Sequence, residues 1–125
     1  MSSKILLVDD EPTILKALSE FLSIKGYNVT ELQHGARALV VYRAEMPDVV
    51  LLDIRMPDID GLAVLRDIRD FDPKAHVIMV TAVPEKEVKT EALDAGASSF
   101  VNKPIDLEQL MFLLAIVDQV AVQKG

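Results

Sequence analysis

Asp9, Asp10, Asp53, Thr81 and Lys103 are the residues of this 125-residue chain whose types and settings could do chemistry together. Each follows a short apolar run: "ILLV" precedes Asp9-Asp10, "VVLL" precedes Asp53, "VIMV" precedes Thr81, and "FVN" precedes Lys103. Three carboxylates in contact repel by roughly 4 kcal/mol per pair at 4 Å and an effective dielectric near 20. Such a cluster must hold a cation or raise its pKa values. Oxygen donors without cysteine or a neighbouring histidine suit Mg²⁺, which takes one or two carboxylates and keeps waters for a phosphate to replace; Ca²⁺ wants more protein oxygens. A carboxylate beside Mg²⁺ can itself be the nucleophile, giving an aspartyl phosphate. Phosphoryl transfer then needs position and charge compensation, here from the Lys103 ammonium and the Thr81 hydroxyl. Taken singly, any of these residues could merely cap a helix. As a set they point to phosphate chemistry.

The elements that must position them are read from an alternation repeated five times. Strand candidates are Ile5–Val8, Asn28–Leu32, Val49–Leu52, His76–Val80 and Ser98–Val101. The first, third and fourth are almost wholly apolar, as strands covered on both faces should be. Between them, Ile14, Ala17, Leu18, Phe21 and Ile24 share helical spacing and stop at Gly26. Gly35 to Glu45 predicts a second helix, stopped by Met46-Pro47, and a third starts at Asp60 as N-cap. Pro84 is expected to open the fourth, Gly96 to close it, and Asp106 to start the last. Strands and helices joined by short connections call for a doubly wound α/β sandwich, a five-stranded parallel sheet with helices on both faces. Ligands of such sheets bind beyond the carboxyl ends of the strands, where the strand order reverses. Asp53 is expected in the mouth of that crevice rather than buried.

Composition narrows the function further. One domain spanning residues 1–125 is the natural unit at this length. Half the residues are hydrophobic and 26% are charged, a globular balance. The formal net charge of −7 argues against direct nucleic-acid binding. With no cysteine there is no disulfide framework or thiolate metal site. "MSSKILLVDD" is too short in apolar residues for a signal-peptide core, and no run approaches a membrane span, so a cytoplasmic protein is expected.

The segments "ILLVDDEP", "VVLLDIRMPDIDG", "VIMVTA" and "FVNKP" resemble, in order and spacing, the receiver domain of two-component response regulators, with its flavodoxin-like (βα)5 fold. The resemblance covers essentially the whole chain. It implies that Asp53 is the phosphoacceptor, that Asp9 and Asp10 are the acidic pair holding Mg²⁺, Asp10 directly, and that the Arg55 carbonyl is a further ligand. Thr81 then matches the switch hydroxyl and Lys103 the family's lysine, with Pro104 following a cis bond. Phe100 stands at the family's aromatic switch position, without a phenol hydroxyl. Arg55 and Val83 match positions that tune dephosphorylation. The phosphoryl donor implied is a sensor histidine kinase or a histidine phosphotransfer protein, and the only catalysis implied is the domain's own phosphorylation and dephosphorylation.

The last helix carries two apolar stripes. Leu107, Leu110, Met111, Leu114, Val117 and Ala121 can face the sheet. Phe112, Leu113, Ile116 and Val120 form a second stripe, suited to a homodimer or output domain meeting the fourth helix, fifth strand and fifth helix, although scattered exposed apolar residues are common. Three other functions compete. An aspartate-nucleophile hydrolase would need a second acid where Arg55 stands, a flavin module would need a phosphate-cradling loop after the first strand, and a passive interaction domain would not need the full set of acids and lysine.

Overall fold

The computed structural model describes residues 3–82 and 86–124, the side chains of 120–124 excepted. Five strands, β1 Lys4–Val8, β2 Asn28–Leu32, β3 Val49–Asp53, β4 Val77–Thr81 and β5 Ser99–Asn102, pair in parallel in the order β2-β1-β3-β4-β5. Helices α1 Pro12–Ile24, α2 Ala38–Glu45, α3 Gly61–Phe71, α4 Lys86–Asp94 and α5 Leu107–Lys124 alternate with them. Alternate side chains of each central strand go to opposite faces, so both must be apolar. Ile5, Leu7, Leu51, Ile78 and Val80 pack with α1 and α5. Leu6, Val8, Val50, Leu52 and Met79 pack with α2, α3 and α4. Among the described residues no helix is long and apolar enough to cross a membrane.

The order reverses at β1, which has β2 on one side and β3 on the other, so the ends of β1 and β3 border the crevice. β4 and β5 begin one residue later than expected: His76 and Ser98 precede them, while Asp53, Thr81 and Asn102 complete their strands. Asp60 caps α3 as the sequence predicts, its carboxylate accepting from the Leu62 N–H at 2.9 Å. Asp106 does the same for α5, accepting from Glu108 N–H at 3.0 Å and Gln109 N–H at 3.3 Å. The bond between Lys103 and Pro104 is cis. Val83, the expected start of α4 at Pro84, and the side chains of Val120 and Ala121 lie outside what is described.

Details of three helical regions also differ from the sequence reading. Residues 35–37 form a separate 3₁₀ turn ahead of α2. Its first turn is held by the β3–α3 loop: Asp58 accepts from the Ala36 N–H at 2.9 Å, and Gly35 lies directly under Met56 and Ile59. The buried stripe of α1 is Leu15, Leu18 and Leu22, flanked by half-buried Ile14 and Phe21. At about 100° per residue, Ala17 and Ile24 turn away from that centre, and Ile24 is 83% exposed. On α5, Leu107 is exposed although expected in the core, because it stands in the first turn before Leu110, Leu114 and Val117 reach the sheet. Leu113 is half-buried against the core rather than part of a free stripe, whereas Phe112 and Ile116 are exposed.

Candidate functional site

β1 delivers Asp9 and Asp10 to the crevice, β3 delivers Asp53, β4 delivers Thr81, and the turn after β5 delivers Lys103. Asp9, Asp10 and Asp53 each place a carboxylate oxygen within 4.8 Å of the others. The Lys103 ammonium lies 2.8 Å from Asp9 Oδ2 and 3.4 Å from Asp53 Oδ2. It also lies 3.2 Å from Glu11 Oε1, a third carboxylate, from the residue that follows the acidic pair at the end of β1. The only sequence signal for Glu11 is its position directly after the acidic pair. Thr81 is buried, and its carbonyl accepts from the Lys103 N–H at 2.8 Å, tying β4 to the lysine's backbone.

Capping is part of what the acids do: Asp9 Oδ1 accepts from the Glu11 N–H at 2.9 Å, closing a local turn before α1. Its other oxygen meets Lys103, so the same carboxylate serves both the turn and the cluster.

Asp53 is 4% exposed, which corrects the expectation of an acid in an open crevice mouth. The chain beyond it folds back over the strand end. Gly61 N–H donates to the Ile54 carbonyl at 2.7 Å, the backbones of Arg55 and Asp60 form an antiparallel bridge, and Ile54 and Met56 are themselves buried. Burial, then the charge of Asp9, push the Asp53 carboxyl up to about 6; Lys103 and the Arg55 backbone N–H pull against that rise. For Lys103, burial favours the neutral amine, but the hydrogen bond to Asp9 and the charges of Asp53 and Asp9 prevail and hold its pKa above the usual lysine range. The site is therefore acid-rich, short of positive charge and almost closed to water at Asp53. A small cation of high charge density fits this donor set.

Phe100 sits half-buried between β5 and α4, opposite Met79 in register and packed against the core on the α2–α4 face. The side chain of Arg55 is exposed beside the site.

The comparisons with known proteins agree with this geometry. The family model "Response regulator receiver domain" matches residues 5–115. The chemotaxis protein CheY of Bacillus subtilis is 33% identical over 112 residues, spanning 89% of this chain and 93% of that protein. The regulatory protein AtoC of Escherichia coli is 38% identical over 90% of this chain, which spans 24% of AtoC. The chain spans less than half the length of several other curated relatives as well. Among solved structures, a CheY-like receiver domain from Methanospirillum hungatei superposes with a TM-score of 0.91 at 28% identity over the whole of both chains. The BeF3-activated DrrB receiver domain does so at 0.86 and 31% identity, over 95% of this chain and 99% of that one. The CheX–CheY–BeF3–Mg²⁺ complex from Borrelia burgdorferi reaches 0.84 at 31% identity, over 91% of this chain and 88% of that one. With five parallel strands, flavodoxin-like topology and this acidic edge, the chain belongs to the receiver domains of two-component response regulators.

Proposed function

We propose that residues 1–125 act as a single phosphorylation-dependent switch that takes a phosphoryl group onto Asp53 from a sensor histidine kinase or histidine phosphotransfer protein. The observation that carries this reading is the convergence of Asp53 with Asp9, Asp10 and Lys103 at the β1/β3 crevice. An Asp53 oxygen attacks phosphorus, the P–N bond to the donor imidazole breaks, and the imidazole nitrogen keeps the electron pair. Asp10, Asp53 and the Arg55 carbonyl would hold Mg²⁺ directly, with Asp9 completing the acidic pair, and the bound ion supplies charge neutralisation for the phosphoryl oxygens. Lys103 compensates the remaining charge as a mobile point cation. The chain that folds back over Asp53 limits access of water to the acyl phosphate.

The new group adds about −1.5 to −2 charges and three acceptor oxygens. The Thr81 hydroxyl and Lys103 are the donors that answer it in this reading. Charge-assisted hydrogen bonds contribute about 1.5–3 kcal/mol each, against the roughly 5.5 kcal/mol that carries a two-state equilibrium from 1:99 to 99:1. Thr81 moves inward and Phe100 fills the space beside β4; the following loop, whose movement the same reading implies, lies outside the described residues. In such a domain catalysis is confined to its own phosphorylation and dephosphorylation.

Incubation with acetyl phosphate and Mg²⁺, read by intact mass, tests the assignment. The wild type gains one phosphoryl group and Asp53→Ala gains none. Continuous turnover of phosphoesters supports a hydrolase instead, and an unmodified wild type supports a passive module.

The output face of this reading is α4–β5–α5, where Phe112 is 66% and Ile116 45% exposed. Ile116 and the half-buried Leu113 also border a groove of about 160 Å³ reaching His76. A homodimer or an output domain covers this face in the proposed signalling state. Light scattering with and without beryllofluoride is the check: association rises with the phosphoryl mimic and falls back in Phe112→Ser. A monomer under both conditions, with Phe112→Ser indistinguishable from wild type, overturns this face as the output surface.

A further inference from the structure

The Lys89 ammonium lies 5.2 Å from the centroid of the Phe100 ring. That distance is within the range of a cation–π contact. Both side chains are half-buried, and among the described residues no carboxylate forms a salt bridge with Lys89. Its neighbours on α4 behave differently: Glu91 pairs with Arg66 of α3 at 2.8 Å, and Lys86 is exposed.

The setting makes that contact consequential. α4 fully buries Ala92 alone among its residues. Its C-terminal half is fastened to α3 by Arg66–Glu91 and by Arg69, whose guanidinium donates to the Gly96 carbonyl just beyond the helix and to the Pro73 carbonyl at 2.7 Å. Ahead of those fastenings, the half-buried Val88 and the Lys89–Phe100 contact hold the helix to the sheet. Lys89 is thus the polar link between the least anchored part of α4 and the aromatic of β5.

We infer that Lys89 is a positioning residue that latches Phe100 in its resting place, and that its release is one of the costs of switching. The inference rests on the proposed Thr81–Phe100 movement. A ring drawn toward Thr81 leaves the ammonium, so the contact stabilises the unphosphorylated arrangement selectively. A ligand shifts an equilibrium only by its differential affinity for the two states, and removing an interaction special to one state shifts it likewise.

The sign of the effect separates this role from simple electrostatics. Deleting a positive charge near an anion site weakens anion binding; deleting a latch on the resting state strengthens it. A partly exposed cation–π contact corresponds to about a two- to five-fold change. In the presence of Mg²⁺, beryllofluoride binding should therefore tighten about two- to five-fold in Lys89→Gln. Lys89→Arg, which keeps a cation over the ring, should stay near wild type, and Lys86→Gln should not tighten. Phe100 ring resonances of unliganded Lys89→Gln should move toward their positions in the beryllofluoride complex. Wild-type or weaker affinity in Lys89→Gln, with Phe100 resonances unmoved, overturns the latch while leaving the switch standing. A wild type that binds no beryllofluoride, or binds it with Phe100 unmoved, overturns the switch reading and the latch together.

Discussion

Replacing Asp53 with asparagine is expected to stabilise the metal-free protein at pH 7.5 by about 1–3 kcal/mol, an effect that shrinks toward zero as the pH falls to 4. The sign follows from the proton affinity of the folded state. Burial and the Asp9 charge raise the Asp53 carboxyl from 3.8 to about 6, so the folded chain holds this proton more tightly than the unfolded chain does. Stability linked to that proton is fully present below the unfolded value of 3.8 and is lost as the pH rises through about 6. Two pKa units correspond to roughly 3 kcal/mol, the upper end of the expected effect. Asparagine has nearly the same shape and no charge to desolvate. Lys103 does not lose its partners, because Asp9 at 2.8 Å and Glu11 at 3.2 Å remain. Urea unfolding of both proteins in chelator across pH 4–7.5 measures the difference, and titration of the other carboxylates cancels between them. Saturating Mg²⁺ should reverse the order by stabilising the wild type through mass action while acting weakly on the variant. A variant less stable than wild type in chelator at pH 7.5 would show that the Asp53 carboxylate is not destabilising in the fold.

That penalty bears on what was legible from the residues alone. The fold was legible because parallel strands covered on both faces read as unbroken apolar runs, and because Gly26, Gly96, Asp60 and Asp106 punctuate the helices with local chemistry. Four strand ends converge in any doubly wound sheet, so Asp9, Asp10, Asp53, Thr81 and Lys103 could be grouped before their distances were known. The depth of Asp53 could not. A strand end is set by backbone pairing, whereas burial depends on how the next loop returns, and that return is written in Gly61 and in the backbone bridge between Arg55 and Asp60. Glu11 stands at the same strand end by sequence, but its contact with Lys103 is not legible there, because the lysine reaches back across the crevice from 92 positions along the chain. On α5 an all-round apolar helix offers more than one candidate face, and the choice between Leu107 and Leu113 as a core residue is made by where the sheet lies.

Gly61→Ala is the substitution expected to do the most damage without removing any functional group. A Cβ at this position would stand 2.1 Å from the Asp53 carbonyl oxygen, 2.7 Å from Ile54 Cα and 3.0 Å from Asp53 C. All three are backbone atoms, so no side-chain rotation relieves the clash. The requirement is space rather than an unusual backbone angle, since Gly61 is not among the glycines of positive φ. The amide of Gly61 donates to the Ile54 carbonyl at 2.7 Å, and the methyl must push that pairing open. Overpacking of this kind costs about 1–3 kcal/mol and occasionally more. Gly26→Ala is the control: nothing lies within 4 Å of the added Cβ, and its φ of +99° confines the cost to backbone conformation, about 1 kcal/mol. The two variants then differ in a second way. Displacing the loop after β3 moves Asp53 and the Arg55 carbonyl relative to Asp9 and Asp10, so Gly61→Ala should also weaken Mg²⁺ binding and slow phosphorylation by acetyl phosphate, at concentrations of urea where it remains folded. Gly26 is remote from that edge, at the turn into β2, and its variant should keep wild-type affinity and rate. Equal stability of Gly61→Ala and wild type, or lost stability with unchanged Mg²⁺ affinity, would separate the loop's packing from the site. The expected coupling of both losses follows from one geometric fact: the first turn of α3 rests on the backbone that carries Asp53.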